Sequence, residues 1–228
     1  MITTVAVCPH PPLMFRELAG QHDVAAGLRD AALSAVGCVA RAAPDRIVLV
    51  GGAEESRGWD PGLRPQVRRF GGTAAREQAG LPLSLGVGRR LLDLAGWTGP
   101  VEPVSIAWDA SAEQVRTLAA SVADGAQPTA LVVLGDGSAR RGEHAPGHLD
   151  ARAFGLDDEI GRALATGSAD ALLRIDPDLA RELMVGGRSA FQVMAAAVQL
   201  EGGTPRPRVL YQDDPFGVMY HVVSWEIS

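Results

Sequence analysis

The feature that most constrains the fold of this chain is a series of short, continuous apolar runs that end in glycine or in a polar residue. Four of them cover residues 2–8, 46–52, 101–107 and 129–137. Strands that lack polar alternation are typical of a sheet covered on both faces. The runs therefore predict a buried central sheet whose strand ends carry polar side chains.

The segments between the apolar runs have helical spacing of their apolar residues. Helices are predicted over residues 21–43, 84–96 and 111–124 and, with breaks near Gly167, Pro177 and Gly186, over 150–201. Ser84 is the predicted N-cap of the second helix. Ser111 and Gln114 fit a capping box at the start of the third.

Two polar loops and a closing hairpin complete the pattern. Residues 53–80 and 138–149 have little periodicity and are predicted to be loops, and a short hairpin within the first is left open. Residues 207–213 and 217–227 are predicted strands joined by a turn at Asp-Pro. Strands alternating with helices predict an α/β fold, a single domain over residues 1–228 with layered α/β/α architecture and a mixed central sheet.

Composition and charge exclude several classes of protein. The net charge is −6, all 21 basic residues are Arg, and no basic stripe is present, which argues against nucleic acid as a partner. No run of about 18 apolar residues exists, so no membrane partner is predicted. Two cysteines and an N-terminus without signal-peptide features favour a cytoplasmic protein, and a homo-oligomer is left open.

Polar residues that follow the predicted strands are the candidate site, because ligands of open α/β sheets bind beyond the carboxyl ends of the strands. His10 lies between prolines, where it suits metal ligation or acid–base chemistry, or is a partly exposed turn residue. Glu54 and Glu55 follow two glycines and are either ligands or solvated loop charges. Asp136 lies between glycines, where a carboxylate commonly bonds backbone amides.

The loop over residues 138–149 adds further candidates. Arg140 and Arg141 have the bidentate geometry that clamps a carboxylate, although such a pair is usually a solvated surface. His144 and His148 are four residues apart, but Pro146 and Gly147 between them exclude a pair of ligands on one helix face.

Three motifs resemble the subunit-B-like class III extradiol dioxygenases, the LigB-like superfamily that also contains the Memo proteins. They are PHPPL after the first strand, the GDGSA block followed by APGHLD, and the terminal LYQDDPFGVMY. The likeness extends over nearly the whole chain and implies a LigB-like fold. In active members, two His and one carboxylate hold Fe(II), three ligands that leave coordination positions open, and a further His handles protons.

The resemblance implies a metal site in which two positions have changed. It aligns His10 with the first ligand, Glu54 with the second His, and Asp213 with the third ligand, with Asp214 as the alternative. Ala139 stands where the proton-transfer His ends the GDxSH block. One His and two carboxylates are a harder, more acidic ligand set, so Fe(II), another divalent metal or no metal are all open.

Two functional hypotheses follow from the resemblance. In the first, the chain is a divergent metal-dependent oxidoreductase acting on a small aromatic or other planar, anionic molecule. Asp136 would then brace the site, His148 would replace the missing acid/base, and Arg140 would bind a substrate carboxylate. In the second, a non-catalytic binding or regulatory protein has lost ring cleavage. A hydrolase using another metal through the same residues is a third, weaker hypothesis.

Overall fold

A computed structural model of the protein describes residues 1–65, residue 67 and residues 80–228. In this part of the chain the strands form one seven-stranded sheet of order β3-β4-β2-β5-β1-β7-β6. Their bounds are β1 Ile2–Cys8, β2 Arg46–Ala53, β3 Arg57–Gly58, β4 Val101–Ala107, β5 Thr129–Leu134, β6 Pro205–Asp213 and β7 Tyr220–Ile227. Strands β4, β2, β5 and β1 are parallel, whereas β3, β7 and β6 each run antiparallel to an inner neighbour.

Helices cover both faces of the sheet. They are α1 Ala26–Arg41, α2 Leu83–Leu94, α3 Ala112–Ala123, α4 Arg152–Thr166, α5 Ala169–Leu173, α6 Pro177–Glu182 and α7 Arg188–Leu200. Helices α1 and α2 pack on one face in one apolar cluster, and α3 to α7 supply the cluster on the other face. The layered α/β/α fold with a mixed central sheet is therefore as predicted.

The predicted strands and the capping box are confirmed, except that β5 ends at Leu134 rather than at residue 137 and β7 begins at Tyr220 rather than at residue 217. The start of the first helix is corrected. The Ser111 hydroxyl accepts from the Gln114 N–H, and the Gln114 side chain accepts from the Ser111 N–H. Helix α1 begins at Ala26 rather than at residue 21, because residues 20–25 form turns, in which the Asp23 carboxylate pairs with Arg16 and Arg29.

The predicted N-cap role of Ser84 is wrong. Helix α2 begins at Leu83 with Pro82 as its N-cap, and Ser84 lies buried inside the first turn. Its hydroxyl donates a hydrogen bond of 2.8 Å to the carbonyl oxygen of Gly52. A Cβ at Gly51 would lie 2.5 Å from the Ser84 Oγ, so this close contact ties α2 to the end of β2.

The chain closes the sheet with the predicted hairpin. Strands β6 and β7 pair antiparallel from Pro205 opposite Ile227 to Asp213 opposite Tyr220, and β6 forms one edge of the sheet. Strand β6 runs parallel to β1, so Asp213 emerges at the same end of the sheet as His10. Across the described ranges, none of the helices has the length and apolar character needed to cross a membrane.

Candidate functional site

A cleft of about 550 Å³ lies at the carboxyl ends of β1, β2 and β4. Its lining includes His10, Glu54, Arg57, Trp59 and Trp108. Three of the polar residues that the sequence placed at strand ends therefore line this cleft: His10, Glu54 and Glu55. The two indoles and Arg57 were not among the candidates, although Trp108 directly follows a buried strand, where the signal for it was present in the sequence.

His10 is held by the segment that follows β5. The His10 backbone N–H donates a hydrogen bond of 2.9 Å to Oδ1 of Asp136. The ring Nδ1 lies 3.6 Å from the same oxygen and is buried, with no hydrogen-bond partner among the described residues. The side chain is 12% exposed and lines the cleft. One carboxylate thus fixes the backbone of His10 and lies beside its imidazole.

Asp136 owes its position to two glycines that permit close backbone packing. The N–H of Gly135 donates to the Cys8 carbonyl, and the N–H of Gly137 donates to the Met219 carbonyl, so the segment crosses the end of β1. A Cβ at Gly135 would lie 2.6 Å from Cα of Gly187. Burial raises the pKa of the Asp136 carboxyl above its ordinary value, while His10 acts in the opposite direction.

Trp108 forms one wall of the cleft. Its side chain is 53% exposed, and its indole lies so close over Gly52 that a Cβ there would come within 2.6 Å of the ring. The Trp108 carbonyl accepts hydrogen bonds from the guanidinium of Arg188, at 2.7 Å, and from the hydroxyl of Ser189, at 2.9 Å. The backbone beneath an exposed aromatic ring is therefore anchored to the start of α7.

A second aromatic wall is already paired with a cation. The Trp59 indole N–H donates to the Ser105 hydroxyl at 2.8 Å. The Arg57 guanidinium lies 3.5 Å from the centroid of the Trp59 ring and 3.5 Å from a carboxylate oxygen of Glu55. Glu54 is exposed at the cleft and makes no ion pair within the described part of the chain.

Asp213 lies apart from the cleft residues. It ends β6, which is separated from β1 by β7, and one of its carboxylate oxygens accepts the Asp214 N–H at 2.9 Å. The Asp214 carboxylate instead pairs with Arg141. The structure thus brings His10 and Glu54 to one cleft without Asp213 in its lining.

The contacts of Arg140 and His148 lie within and beside the loop over residues 138–149. The Arg140 guanidinium donates to the carbonyl oxygens of Gly147, at 2.6 Å, and Glu182, at 3.1 Å. His148 is exposed, has a φ of 56°, and places Nδ1 3.4 Å from the Glu143 carbonyl oxygen. Neither is in the lining of the cleft, and their predicted roles in substrate binding and proton transfer stay predictions.

The described donors do not fit the three-ligand iron site that the resemblance implies. His10 and Glu54 line the cleft, but the implied third ligand, Asp213, does not. Within residues 1–65, 67 and 80–228, no group of three or more His, Cys, Asp or Glu side chains is arranged to hold a metal ion. Metal binding itself stays a prediction.

A largely buried polar cluster, which we call the Arg141 cluster, consists of Arg141, the carboxylates of Asp157 and of the partly exposed Asp214 that pair with it, and the buried His221, whose pKa its charge lowers. The Arg141 guanidinium lies 2.5 Å from an oxygen of Asp214 and 3.4 Å from one of Asp157. Asp157 is fully buried and accepts the Ser138 N–H at 2.8 Å. Burial raises the pKa of Asp157 to about 6, even though this hydrogen bond and Arg141 lower it.

His221 is the buried imidazole of the Arg141 cluster and lies on β7. It is 1% exposed, and its Nε2 has no partner in the described chain. Its Cε1 would lie 3.1 Å from a Cβ at Gly161, so helix α4 packs closely against it. Burial, reinforced by the charge of Arg141, lowers the pKa of His221 to about 4.

Comparison with known proteins bears on the fold alone. No protein-family model matches this chain, and no curated protein matches it either. Among solved structures, the chain is similar to a crystal structure of the uncharacterized protein JW3007 from Escherichia coli K12, with 14% identity and a TM-score of 0.53. The similarity covers 98% of this chain and 99% of that one, so the whole α/β/α arrangement is shared.

Proposed function

We propose that this protein is a divergent relative of the LigB-like class III extradiol dioxygenases that binds a small aromatic molecule in the cleft beside His10. The observation that carries the proposal is a largely buried imidazole, anchored by Asp136, that lines an aromatic-walled cleft at the carboxyl ends of the strands. Ligands of α/β sheets bind at this edge, and apolar walls with few polar groups are typical of small-molecule sites.

His10 is the residue best suited to proton transfer in this cleft. The Asp136 carboxylate, 3.6 Å from Nδ1, favours a tautomer that carries its proton on Nδ1 and leaves Nε2 as the acceptor. A ring hydroxyl placed against Nε2 would donate a hydrogen bond to it, along which the proton can pass to His10 as the ring reacts. General acid–base catalysis of this kind contributes about 10²–10⁴-fold to a rate.

A second candidate, a binding protein that has lost ring cleavage, is favoured by the donor set. Only two of the three implied metal ligands line the cleft, and Ala139 stands where the resemblance implies the proton-transfer His. Such a protein would still bind an aromatic ring beside His10. It would take up no oxygen with any catechol.

Metal loading and oxygen uptake separate the two candidates. The protein, without a His tag, is loaded anaerobically with Fe(II), Mn(II) or Zn(II), and metal stoichiometry is compared among wild type, His10→Ala, Glu54→Ala and Asp213→Ala. His144→Ala, at an exposed loop position, is the matched control. Catechol binding is measured by calorimetry and oxygen uptake with an electrode.

The outcomes divide as follows. Stoichiometric metal that is lost in His10→Ala and Glu54→Ala, with oxygen uptake, supports the oxidoreductase, and its loss in Asp213→Ala supports Asp213 as third ligand. Catechol binding that weakens in His10→Ala without oxygen uptake supports the binding protein. Aromatic binding that is equal in wild type and His10→Ala, or that is absent with catechol, benzamidine, benzamide and benzoate alike, would contradict the proposal.

A further inference from the structure

The unpaired charge that faces the cleft is negative, whereas a site for an anionic ligand would present a positive charge. Arg140, the residue predicted to meet a substrate carboxylate, donates to two backbone carbonyls away from the cleft. Arg57 does line the cleft, but its charge is matched by Glu55 and its face lies on Trp59. Glu54 is then the charged side chain left without an ionic partner among the described residues of the lining.

Trp108 offers the surface against which a ring would stack. About half of the side chain is exposed, and one edge of the indole is fixed against Gly52. Its backbone carbonyl is anchored by Arg188 and Ser189, which holds the base of the side chain at the edge of the cleft. The face of an indole carries negative potential and attracts cations more strongly than the rings of Phe or Tyr do.

We propose that the cleft takes a planar organic cation, a ring that bears a protonated amidine, amine or heterocyclic nitrogen, stacked on Trp108 with its positive group toward Glu54. This inference rests on the proposed function, because it specifies the charge of the aromatic ligand bound beside His10. The indole face and the Glu54 carboxylate both attract a positive charge, whereas both would repel an anionic ring.

Three probes of nearly equal shape test the sign directly: benzamidine, which is a cation at neutral pH, benzamide, which is neutral, and benzoate, which is an anion. Binding is followed by ¹⁹F NMR of protein labelled with 5-fluorotryptophan. The chain has four tryptophans, and Trp108→Phe identifies the resonance of Trp108. We expect benzamidine to shift this resonance and to bind about three- to tenfold more tightly than benzamide, with benzoate the weakest of the three.

Charge-removing variants assign the selectivity to Glu54. Glu54→Gln should lower the affinity for benzamidine about three- to tenfold and leave benzamide unchanged. Glu143→Gln, an exposed loop residue outside the cleft lining, removes the same net charge and should alter neither affinity. Trp108→Leu, measured by calorimetry, should weaken all probes, and thermal unfolding checks that each variant is folded.

Failure of this inference is distinguishable from failure of the proposed function. Benzoate that binds as tightly as benzamidine, or a benzamidine affinity that Glu54→Gln does not lower, overturns the cationic ligand while aromatic binding beside His10 stands. If neither catechol nor any of the three probes shifts the Trp108 resonance, both the inference and the proposed function are overturned.

Discussion

The cleft and the Arg141 cluster use the same kinds of side chain in opposite ways. Both draw on the segment after β5, which supplies Asp136 to the cleft side and Arg141 to the cluster. In the Arg141 cluster, charged groups bond one another and Asp157 is removed from solvent entirely. Beside the cleft, the Asp136 carboxylate accepts the backbone N–H of His10, and the imidazole of His10 lines the cleft.

This difference separates a structural from a functional use of polar residues. A buried charge whose partners are all protein groups stabilises only its own surroundings, and removal of one partner leaves the others unpaired. An anchored group that faces a cavity keeps bonding capacity for a ligand. Variants in the Arg141 cluster should therefore change stability, and variants in the cleft should change binding.

The largest expected effect is the loss of Asp157. Asp157→Ala leaves the buried Ser138 N–H without its acceptor and removes one of the two carboxylates that pair with Arg141, so we expect the free energy of unfolding to fall by about 3 kcal/mol. Urea denaturation measures it, with the exposed Glu54→Gln as the cleft counterpart and a change within about 0.5 kcal/mol expected there. Equal losses in the two variants would remove the distinction between the regions.

Substitutions of two glycines at strand ends should also differ in their effect on stability. A Cβ at Gly135 would meet the backbone of Gly187 and the ring of Phe191, so Gly135→Ala should lower the free energy of unfolding by about 2 kcal/mol. A Cβ at Gly52 would meet mainly the exposed indole of Trp108, which can move outward. Gly52→Ala should therefore be the milder change in urea denaturation and should still weaken benzamidine binding. The opposite order of stabilities would contradict this interpretation.

The pH dependence of stability sharpens the description of the Arg141 cluster. Asp157 binds a proton more tightly in the folded chain, with a pKa of about 6, so its contribution to stability falls as pH rises from about 4 to 6. His221, with its pKa lowered to about 4, binds a proton more weakly when folded, so its contribution rises over about pH 4 to 6.5. The two contributions oppose each other in one window.

Single substitutions should separate the pH dependence that Asp157 and His221 each contribute to the free energy of unfolding. Asp157→Asn should make the free energy of unfolding rise with pH between about 4 and 6.5, by on the order of 1 to 2 kcal/mol more than in wild type. His221→Asn should produce the opposite change. Urea titrations at a series of pH values measure both, and parallel pH profiles in all three proteins would show that neither group titrates as described.

The smallest expected change in stability is at Trp108. Trp108→Leu alters a half-exposed side chain whose anchoring hydrogen bonds are made by its backbone carbonyl, so the free energy of unfolding should change by less than about 0.5 kcal/mol. The same variant should lose most of its aromatic binding in calorimetry. A large loss of stability would instead show that the indole is part of the core.

Local patterns in the sequence determined most of the fold. The apolar runs predicted the inner strands, and the capping box of Ser111 and Gln114 depends on groups three residues apart. The Ser84 prediction failed because the partner of its hydroxyl, the Gly52 carbonyl, is 32 residues away and is brought near only by packing of α2 on β2. A side chain's best partner at such a distance cannot be inferred from local spacing.

In the candidate site, too, some features were predictable from the sequence and others depended on tertiary packing. The sequence by itself determined that His10 and Glu54 follow buried strands, and parallel pairing then brings them to one edge of the sheet. Only the tertiary structure decided that Trp108 forms a wall, that Arg140 bonds backbone carbonyls, and that Asp213 lies two strands from β1. Strand position follows from short-range apolar pattern, whereas the direction and partners of a polar side chain depend on which distant segments pack against it.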